Sequence, residues 1–560
     1  MDLSVSLLMA KKLDVGRLSS AEQHRLMNLA EHLYSLLQEK EGRISDLEDL
    51  VNELKGEQGK PKIAGKNRKE DKEVPKSSEE KNHSSEKERK SSKKKKPKSN
   101  KFSNRPDLEL RIEVLDIAEH KKLPADAVFQ SYRTSHYYDF CIEADLIEYR
   151  RKVYYSASTG KYYVSDLPTN CPVKGDYTYS LQEQVYRLKY KYGMPIGSIL
   201  QLLEDGGVEI TKGTLSNLLL SVGEVLSSER DAIHQAGISV GLYTSSDTTL
   251  DRFNGENHHA HIFCNQWFTT YYTRSKKDRQ TVIDLLRCNK ERLYLLNEQG
   301  IELCKILKSN KAAIKLLESH LFTTPKTAIE FKAYLEEHLF TLSDKAFQSC
   351  QKRIYEAAYL AAYYEEEQLG IFLSDNAPQY NLISIFTALC WIHVGRHFKK
   401  MNPTNAIYQK QLKDFLLQFW MYYDWLLNYK KSPTPELKQQ LQDDFDVLFS
   451  IETDYDQLND RIDKTKALKD KLLVVLDNPD LPLHNNGAEL AARRQVKYRD
   501  ISFQTRSEKG RNAKNIALSI YQTCKKLGVD ATQYILDKLT QKNQMIPLAD
   551  LIFQKTNYAV

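Results

Sequence analysis

The sequence lacks two features that often define a class at once: a long apolar run and paired cysteines. No apolar run reaches the ~18 residues that a bilayer span needs, and an acid at position 2 beside only a short apolar stretch argues against a cleaved signal peptide. The eight cysteines of the 560-residue chain are scattered, and no two form a Cys-x-x-Cys pair. We therefore expect no membrane partner, free thiols and a reducing compartment.

Most of the chain has no excess of basic residues. The excess of Lys and Arg over Asp and Glu is concentrated in one segment. Residues 55–101 carry 18 Lys and Arg against 8 Asp and Glu, a local balance of +10, whereas the whole chain has a formal net charge of +7. The remainder sums to −3 and is close to neutral. A polycationic segment gains affinity for phosphate backbones without sequence preference. A solvated, solubilising linker is an equally good interpretation.

Residues 20–54 have the heptad pattern of a long helix. The seam alternates at spacings of four and three, with one polar member: Leu26, Ala30, Leu33, Leu37, Lys40, Ile44, Leu47, Val51 and Leu54. The pattern predicts that residues 1–54 contain a parallel coiled coil joining copies of the chain, with a helix docked on the body as the alternative. Residues 55–104 are poor in apolar side chains, so we expect a disordered basic linker. Such a linker favours the coiled coil because it keeps the helix away from the body.

Residues 105–180 are predicted to form a small β-rich module, and residues 181–236 a helix-turn-helix. In the second segment, a Gly-Met-Pro break and Gly206-Gly207 separate three helical stretches, and Thr211 opens the last of them. This pattern is typical of a DNA-binding unit whose final helix enters the major groove. A plain helical hairpin is the alternative.

Two later apolar runs each end in Ser-Asp: "ISVGLYTSSDT" from 238 and "LGIFLSDNAPQYN" from 369. If these runs are neighbouring strands, their ends bring Asp247 and Asp375 within reach of shared divalent ions. Three strands, a helix and a fourth strand predict an α/β ribonuclease-H-like catalytic domain over 237–540. We expect large helical insertions at 290–367 and 404–476, and a C-terminal tail at 541–560. Taken alone, each Asp is more readily a turn former or a helix cap than a catalytic residue.

The stretch "LPLHNNGAELAARRQVKYRD" at 481–500 places one acid, Glu489, between two asparagines and a run of cations. Asn486-x-x-Glu489 fits a capping box with Asn486 as the N-cap, and Glu489 and Arg493 have the spacing of an i, i+4 helix pair. Glu489 also fits the third carboxylate of a site for two Mg²⁺ ions about 4 Å apart, which prefer hard oxygen ligands.

Three motifs resemble the transposases of bacterial insertion sequences, specifically the insertion sequence 66 family, over most of residues 130–540. They are "SDTT" at 246–249, "LSDNAPQYN" with "ALCWIHVGRHF", and "LPLHNNGAELAARR" with "SEKG" at 507–510. The resemblance implies that the family's catalytic Asp-Asp-Glu triad falls on Asp247, Asp375 and Glu489. It also implies two Mg²⁺ ions, for which Mn²⁺ can substitute, and double-stranded DNA (the element's ends and the target) as the partner.

Within this interpretation the cations after Glu489 contact DNA phosphates, with ordinary surface charge as the alternative. They are Arg493, Arg494, Lys497, Arg499, Arg506, Lys509 and Arg511, with Lys514 beyond them. We expect His393, Arg396, Asn485 and Asn486 to support the site. The expected activity is Mg²⁺-dependent cleavage at the element's ends and strand transfer, in the bacterial cytoplasm and associated with the nucleoid.

The sequence also departs from the family pattern. Only Cys141 and Cys171 occupy the region where family members carry two Cys-x-x-Cys pairs, so we expect no zinc there. Leu490 stands where an Arg usually follows the catalytic Glu, and the two aspartates are 128 residues apart. A catalytically inactive, transposase-derived DNA-binding protein is therefore the alternative function. The segment "NHHAHIFC" at 257–264 has a spacing that can hold zinc, although it lies within a predicted strand.

Overall fold

The computed structural model describes residues 19–54, 144–159, 161–339, 343–366, 370–384 and 386–557. The linker expected at 55–104 and the first part of the expected β-rich module, including Cys141, lie outside the described residues. Among the residues that are described, no helix is both long and apolar enough to cross a membrane.

A five-stranded mixed sheet positions the two Ser-Asp motifs. The strands of the described residues are β1 (Val153–Ser156), β2 (Lys161–Val164), β3 (Tyr243–Phe253), β4 (Glu256–Cys264), β5 (Thr269–Arg274), β6 (Tyr294–Leu296), β7 (Phe322–Lys326), β8 (Ile371–Ser374) and β9 (Thr387–Leu389). The central sheet has the order β5-β4-β3-β8-β9. β4 is antiparallel to β3 and to β5, whereas β8 is parallel to β3 and to β9. The predicted mixed α/β class is confirmed.

Helices surround this sheet and form most of the remaining structure. Those of the described residues are α1 (Ser20–Leu54), α2 (Tyr179–Tyr190), α3 (Ile196–Asp205), α4 (Lys212–Val225), α5 (Ser227–Val240), α6 (Arg279–Leu286), α7 (Glu298–Ile306), α8 (Lys311–Leu317), α9 (Ala328–His338), α10 (Asp344–Glu366), α11 (Trp391–Lys399), α12 (Ala406–Tyr429), α13 (Pro435–Leu448), α14 (Asp456–Lys466), α15 (Lys469–Leu472), α16 (Asn486–Ser502), α17 (Glu508–Leu527), α18 (Ala531–Leu539) and α19 (Leu548–Asn557). Single turns of 3₁₀-helix occur at Pro378–Tyr380 and Val474–Leu476.

The segment predicted as a helix-turn-helix forms α2, α3 and α4. Thr211 caps α4, because its hydroxyl accepts a hydrogen bond from the amide of Thr214 at 3.1 Å. Gly193 and Gly207 have φ angles of +79° and +88°, which glycine adopts without a steric cost. Both breaks between the helices are therefore glycine turns.

The segment 290–367 differs from the prediction of helices alone. It contains α7 to α10, but also the short antiparallel strands β6 and β7. These strands are three and five residues long, which is too short to show a recognisable period. The ring of Tyr294 in β6 stacks on Phe331 of α9 with centroids 5.1 Å apart. Packing between distant segments therefore decides this local structure.

The segment 404–476 is helical and has its own aromatic core. Helices α12 to α15 pack around fully buried side chains such as Phe419 and Phe445. Trp391, the first residue of α11, joins this core, and its indole N–H donates to the carbonyl of Leu472 at 2.9 Å. Because α11 follows β9 directly, this contact attaches the helical segment to the edge of the central sheet.

The last segment, 541–560, is not a plain tail. It contains α19, which packs on α5 with Leu548 and Ile552 fully buried. The amide of Leu548 donates to the carboxylate of Glu229 in α5 at 2.9 Å. The spacing of Leu548, Leu551 and Ile552 is helical, but the segment is too short for the pattern to predict a docked helix.

Helix α1 is docked on the segment 404–476. The carboxylate of Glu31 accepts hydrogen bonds from the amides of Thr404 and Asn405 at 3.0 and 2.9 Å, just before α12 begins. The side-chain oxygen of Asn28 accepts a bond from the amide of Asp456, the first residue of α14, at 3.1 Å. The expectation that the linker keeps this helix away from the body is therefore wrong for these turns.

The heptad seam of α1 remains exposed beyond the docked turns. Leu33, Leu37 and Ile44 are 48%, 60% and 55% exposed. Within the described part of the chain no element covers these side chains. The seam is thus an exposed apolar stripe, and oligomerisation through it stays a prediction.

Candidate active site

Asp247 and Asp375 stand at the same level of two neighbouring strands. The parallel pairing of β3 with β8 ends at Ser245 and Leu373, and each aspartate lies two residues farther along its own chain. Neighbouring strands are about 4.8 Å apart. This register sets the two aspartates side by side just beyond the paired region, although β3 itself continues to Phe253 instead of ending at the acid. A shared site at this point stays a prediction.

Glu489 is close enough to Asp247 for its charge to act on the Asp247 carboxyl group. The pKa of Asp247 is raised to about 7, chiefly because burial disfavours the ionised form. The amide of Thr248, which donates to the carboxylate at 2.7 Å, lowers it, whereas the charges of Asp375 and Glu489 raise it further. A cation placed among these carboxylates would favour the ionised form of Asp247.

Glu489 lies in the first turn of α16 and is held by Arg396 of α11. The guanidinium donates two hydrogen bonds to the carboxylate, at 2.8 and 2.9 Å. The Glu489 side chain is 18% exposed and that of Arg396 is 44% exposed. Arg493, one turn further along α16, lies 3.9 Å from the same carboxylate. The two-bond pair with Arg396 is the stronger interaction, so the helix pair expected from spacing is the secondary one.

Asp247, Asp375 and Glu489 are chemically suitable ligands for a divalent metal ion, but their side chains are not arranged around a common point. Three carboxylates are suitable ligands for Mg²⁺. In the described part of the chain, however, no three side chains among His, Cys, Asp and Glu are gathered closely enough to hold a metal ion. Glu489 is directed at Arg396, while Asp247 and Asp375 accept bonds from nearby backbone amides. In this arrangement Glu489 is paired with Arg396 and is not gathered with the two aspartates.

The zinc interpretation of residues 257–264 is not supported. No metal-binding group that includes them occurs among the described residues. The ring of His261 is fully buried in β4, and its Nε2 lies 2.9 Å from the carbonyl oxygen of Lys276. Burial lowers the pKa of His261 to about 4, so this histidine is a neutral, hydrogen-bonded core residue.

Asn485, rather than Asn486, precedes α16, so the capping box predicted at Asn486 is wrong. The Asn485 side chain is buried and bonded to β3 instead of capping the helix. Its amide group donates to the carbonyl of Ser246 at 2.8 Å, and its oxygen accepts a bond from the hydroxyl of Ser245. Its backbone N–H contacts the sulfur of Cys390 at 3.3 Å. Asn485 therefore fixes the first turn of α16 beside β3 and the end of β9.

The sequence motifs do not single out Tyr380, which lies under the same site. Its hydroxyl is 2.7 Å from Thr248 Oγ1 and 3.4 Å from Ser246 Oγ. Burial raises the pKa of Tyr380, so the hydroxyl stays protonated and supports the strand that carries Asp247. A polar aromatic residue five positions after Asp375 is too weak a signal to predict this contact.

His393 and Arg396 both belong to α11 but contact different neighbours. Arg396 is paired with Glu489, whereas His393 lines a cavity of about 330 Å³ that opens beside Asp375. His393 and His397 are one turn apart, with ring centroids separated by 5.1 Å. The two predicted supporting residues are three positions apart on α11, yet one contacts Glu489 and the other lines the cavity beside Asp375.

The cations predicted to contact DNA fall into two groups. Arg493, Lys497, Arg506 and Lys509 are exposed, and they retain the prediction of phosphate contact. They lie on the outward side of α16, on the loop that follows it and at the start of α17. Two of them also form ion pairs, Arg493 with Glu489 at 3.9 Å and Lys509 with Glu224 at 3.4 Å, so that a phosphate would replace a carboxylate partner there.

The second group is engaged with the protein. Its contacts are Arg494 to the carbonyls of Tyr190 and Lys191, Arg499 to the carbonyl of Leu250 at 2.7 Å, Arg511 to Glu508 at 2.8 Å, and Lys514 to Asp251 at 2.6 Å. Lys514 and Asp251 are both almost fully buried. A phosphate contact by Lys514 is therefore wrong, because α17 turns this face onto β3 and β5.

One face of helix α4 packs against α17. A Cβ on Gly223 would lie 2.9 Å from the Cβ of Ala513, so α4 and α17 are in close contact. Lys212 is the single basic residue of α4, and it is exposed at the start of the helix. DNA recognition by α4 stays a prediction.

These features define an α/β protein with acidic side chains on and beside a central mixed sheet. The chain belongs to the Transposase IS66 family, which matches residues 174–295 and 341–513, more than half of the sequence. The unmatched interval between these ranges lies within the segment 290–367. The chain is also 29% identical over 323 residues to uncharacterized protein y4jO of Sinorhizobium fredii (strain NBRC 101917 / NGR234), covering 57% of this chain and 99% of that protein. No solved structure matches the chain.

Proposed function

We propose that the protein is a transposase that binds the ends of an insertion sequence and catalyses DNA cleavage and strand transfer at Asp247, Asp375 and Glu489. Membership of the family supports this class of activity. The observation that carries the site is the parallel register of β3 and β8, in which Asp247 and Asp375 each lie two residues beyond the last pair, with Glu489 close enough to raise the pKa of Asp247. The strand order supports a ribonuclease-H-like catalytic domain.

The proposed reaction consists of two successive nucleophilic substitutions, each at the phosphorus atom of a phosphodiester. In the first, the oxygen of a water molecule bonds to phosphorus and the P–O3′ bond breaks, which leaves a 3′-hydroxyl and a 5′-phosphate. In the second, that 3′-hydroxyl attacks a target phosphodiester, whose own 3′-oxygen leaves. Bound divalent ions would make the attacking oxygen more nucleophilic and neutralise charge on the leaving oxygen. No covalent intermediate with the enzyme forms.

The chain's own residues supply position and charge. Asn485 fixes the first turn of α16, and Tyr380 supports β3 beneath Asp247. Arg396 balances the charge of Glu489 until that carboxylate turns toward the aspartates. Arg493 and Lys497, exposed on α16, bind phosphates of the element's end. The exposed seam of α1 joins copies of the chain, and the assembly acts on DNA in the bacterial cytoplasm, at the nucleoid.

The test is cleavage of a DNA duplex that carries the sequences flanking this gene, in Mg²⁺ or Mn²⁺. We expect Asp375→Asn to lower the cleavage rate by at least a thousandfold, because it removes an oxygen charge that the metal ions require. Asp470→Asn, at an exposed position of α15, should cleave as the wild type does. Equal rates for Asp375→Asn and wild type would refute the site. Specific binding by the wild type without cleavage in either metal would favour the inactive DNA-binding alternative.

A further inference from the structure

The cavity beside Asp375 is built by two helices that come from different parts of the chain. His393 and His397 line it from α11, and Arg461 and Lys464 line it from α14. Each pair is spaced three or four residues apart, so each presents two side chains on one face of its helix. The helical segment 404–476 therefore forms one wall of this cavity. Asp375, a candidate catalytic residue, also lines it.

The cavity is positively charged and its cations have no acidic partner. Asp375 is the single acid among its lining residues. In the part of the chain that the structure describes, no carboxylate forms an ion pair with Arg461 or Lys464. The pKa of His397 is lowered, first by burial and then by the charges of Arg461, His393 and Lys400. The charge of Asp375, which raises this pKa, contributes less than any of these three charges.

Such an arrangement suits a phosphate group better than a neutral or cationic ligand. A guanidinium and an ammonium group offer charged donors to phosphate oxygens, and the two imidazoles add further N–H donors. A cleft lined by one sign of charge also raises the local concentration of the opposite charge. The carboxylate of Asp375 lies at the edge of this cleft, where a phosphodiester bond would be cut.

We propose that this cavity is a phosphate-binding subsite, in which Arg461 and Lys464 hold the DNA strand next to the bond cleaved at Asp375. The subsite rests on the proposed function, since its ligand is the DNA strand that enters the candidate active site. It assigns a role to the helical segment 404–476: α14 forms the far wall of the strand's path. Arg461 and Lys464 are binding residues, and the cleavage chemistry stays with the carboxylates.

The test is a salt titration of DNA binding by the full-length protein, in EDTA, with a fluorescein-labelled 30-base-pair duplex of arbitrary sequence as the probe. The slope of log affinity against log salt becomes shallower by about 0.9 for each phosphate that a variant no longer binds. We expect the double variant Arg461→Ala/Lys464→Ala to have a slope about one to two units shallower than that of the wild type. The exchange Arg461→Lys/Lys464→Arg keeps both charges and should retain the wild-type slope.

The matched control is Lys410→Ala/Lys413→Ala. It removes the same charge from exposed positions of α12, in the same helical segment but outside the cavity. Equal slopes for the two double variants, or a wild-type slope for Arg461→Ala/Lys464→Ala, would overturn the subsite. Because binding is measured without a metal ion, this outcome is separate from the proposed function, which fails only if the wild type does not cleave in Mg²⁺ or Mn²⁺.

Discussion

The guanidinium of Arg396 donates two hydrogen bonds to the carboxylate of Glu489, a residue 93 positions further along the chain. This pair joins α11 to α16 at the edge of the candidate active site. It also directs the third carboxylate toward a cation that belongs to the protein. A metal ion bound at the proposed site would therefore compete with Arg396 for the same two oxygen atoms.

Removing this competitor should strengthen metal binding. We expect Arg396→Gln to bind Mn²⁺ about fivefold more tightly than the wild type in the absence of DNA, since a partly exposed ion pair contributes about 1 kcal/mol. Isothermal titration calorimetry measures the change directly. Lys400→Gln, which removes the same charge just after α11 without contacting Glu489, should leave the affinity unchanged. Unchanged or weaker binding by Arg396→Gln would show that Arg396 does not compete with the metal ion.

The buried pair of Lys514 and Asp251 predicts a large effect on stability. Lys514→Met leaves Asp251 as an unpaired buried charge, which should lower the free energy of unfolding by about 3–5 kcal/mol. The combined change Lys514→Met/Asp251→Leu should cost less, because no charge is left behind. Urea denaturation gives both values. A single variant as stable as the wild type would mean that the carboxylate reaches water.

The same lysine provides a contrast for DNA binding. Lys497 is exposed on α16, so Lys497→Met should lower the salt slope of DNA binding by about one unit with little change in stability. Lys514→Met, measured at a temperature where it remains folded, should keep the wild-type slope. If Lys514→Met changed the slope and Lys497→Met did not, Lys514 rather than Lys497 would be the residue that contacts DNA.

His234 makes stability depend on pH. Its ring is fully buried between Thr270 and the carbonyl of Leu285, and burial lowers its pKa to about 4. Between pH 6.5 and 4 the unfolded chain binds a proton at this site that the folded protein does not, so stability is lost as the pH falls through this range. From pH 7 to pH 5 we expect the wild type to lose about 2 kcal/mol more than His234→Gln. Parallel pH profiles for the two proteins would contradict this.

The exposed seam of α1 predicts the oligomeric state. Leu33→Asp combined with Leu37→Asp places two charges in the proposed coiled-coil interface and should convert an oligomer into a monomer. Light scattering coupled to size-exclusion chromatography measures the mass. Ser35→Asp combined with Gln38→Asp adds the same charge outside the seam and should preserve the oligomer. A monomeric wild-type protein would remove the coiled coil altogether.

Features set by neighbours in sequence are accessible to prediction. Thr211 caps α4 through a partner three residues away, and Asp375 directly follows β8, whereas Asp247 lies inside β3, which continues to Phe253. Where two elements join without a polar break, the same logic fails. The apolar run from 238 predicts one strand, but Ile238 and Val240 end α5, and β3 begins at Tyr243. A helix and a strand that are both buried look alike over so few residues.

Features set by which faces meet are not accessible in this way. Lys514 and Lys497 belong to one cationic run, yet one is buried against Asp251 and the other is exposed. The sequence places Arg396 near the site, but its partner depends on how α11 and α16 approach each other. The docking of α1 through Glu31 is of the same kind. Each depends on tertiary packing between segments that are distant in sequence.

The contact between Asn28 and the first residue of α14 links two properties that are usually studied separately. The turn of α1 that precedes the exposed seam braces the start of α14, and Arg461 and Lys464 lie on later turns of that same helix. Deleting the N-terminal helix to obtain a monomeric protein would thus also remove a support of the cavity wall. The proposed assembly surface and the proposed phosphate-binding subsite are therefore connected through one contact between helices, and a truncated protein would report on both at once.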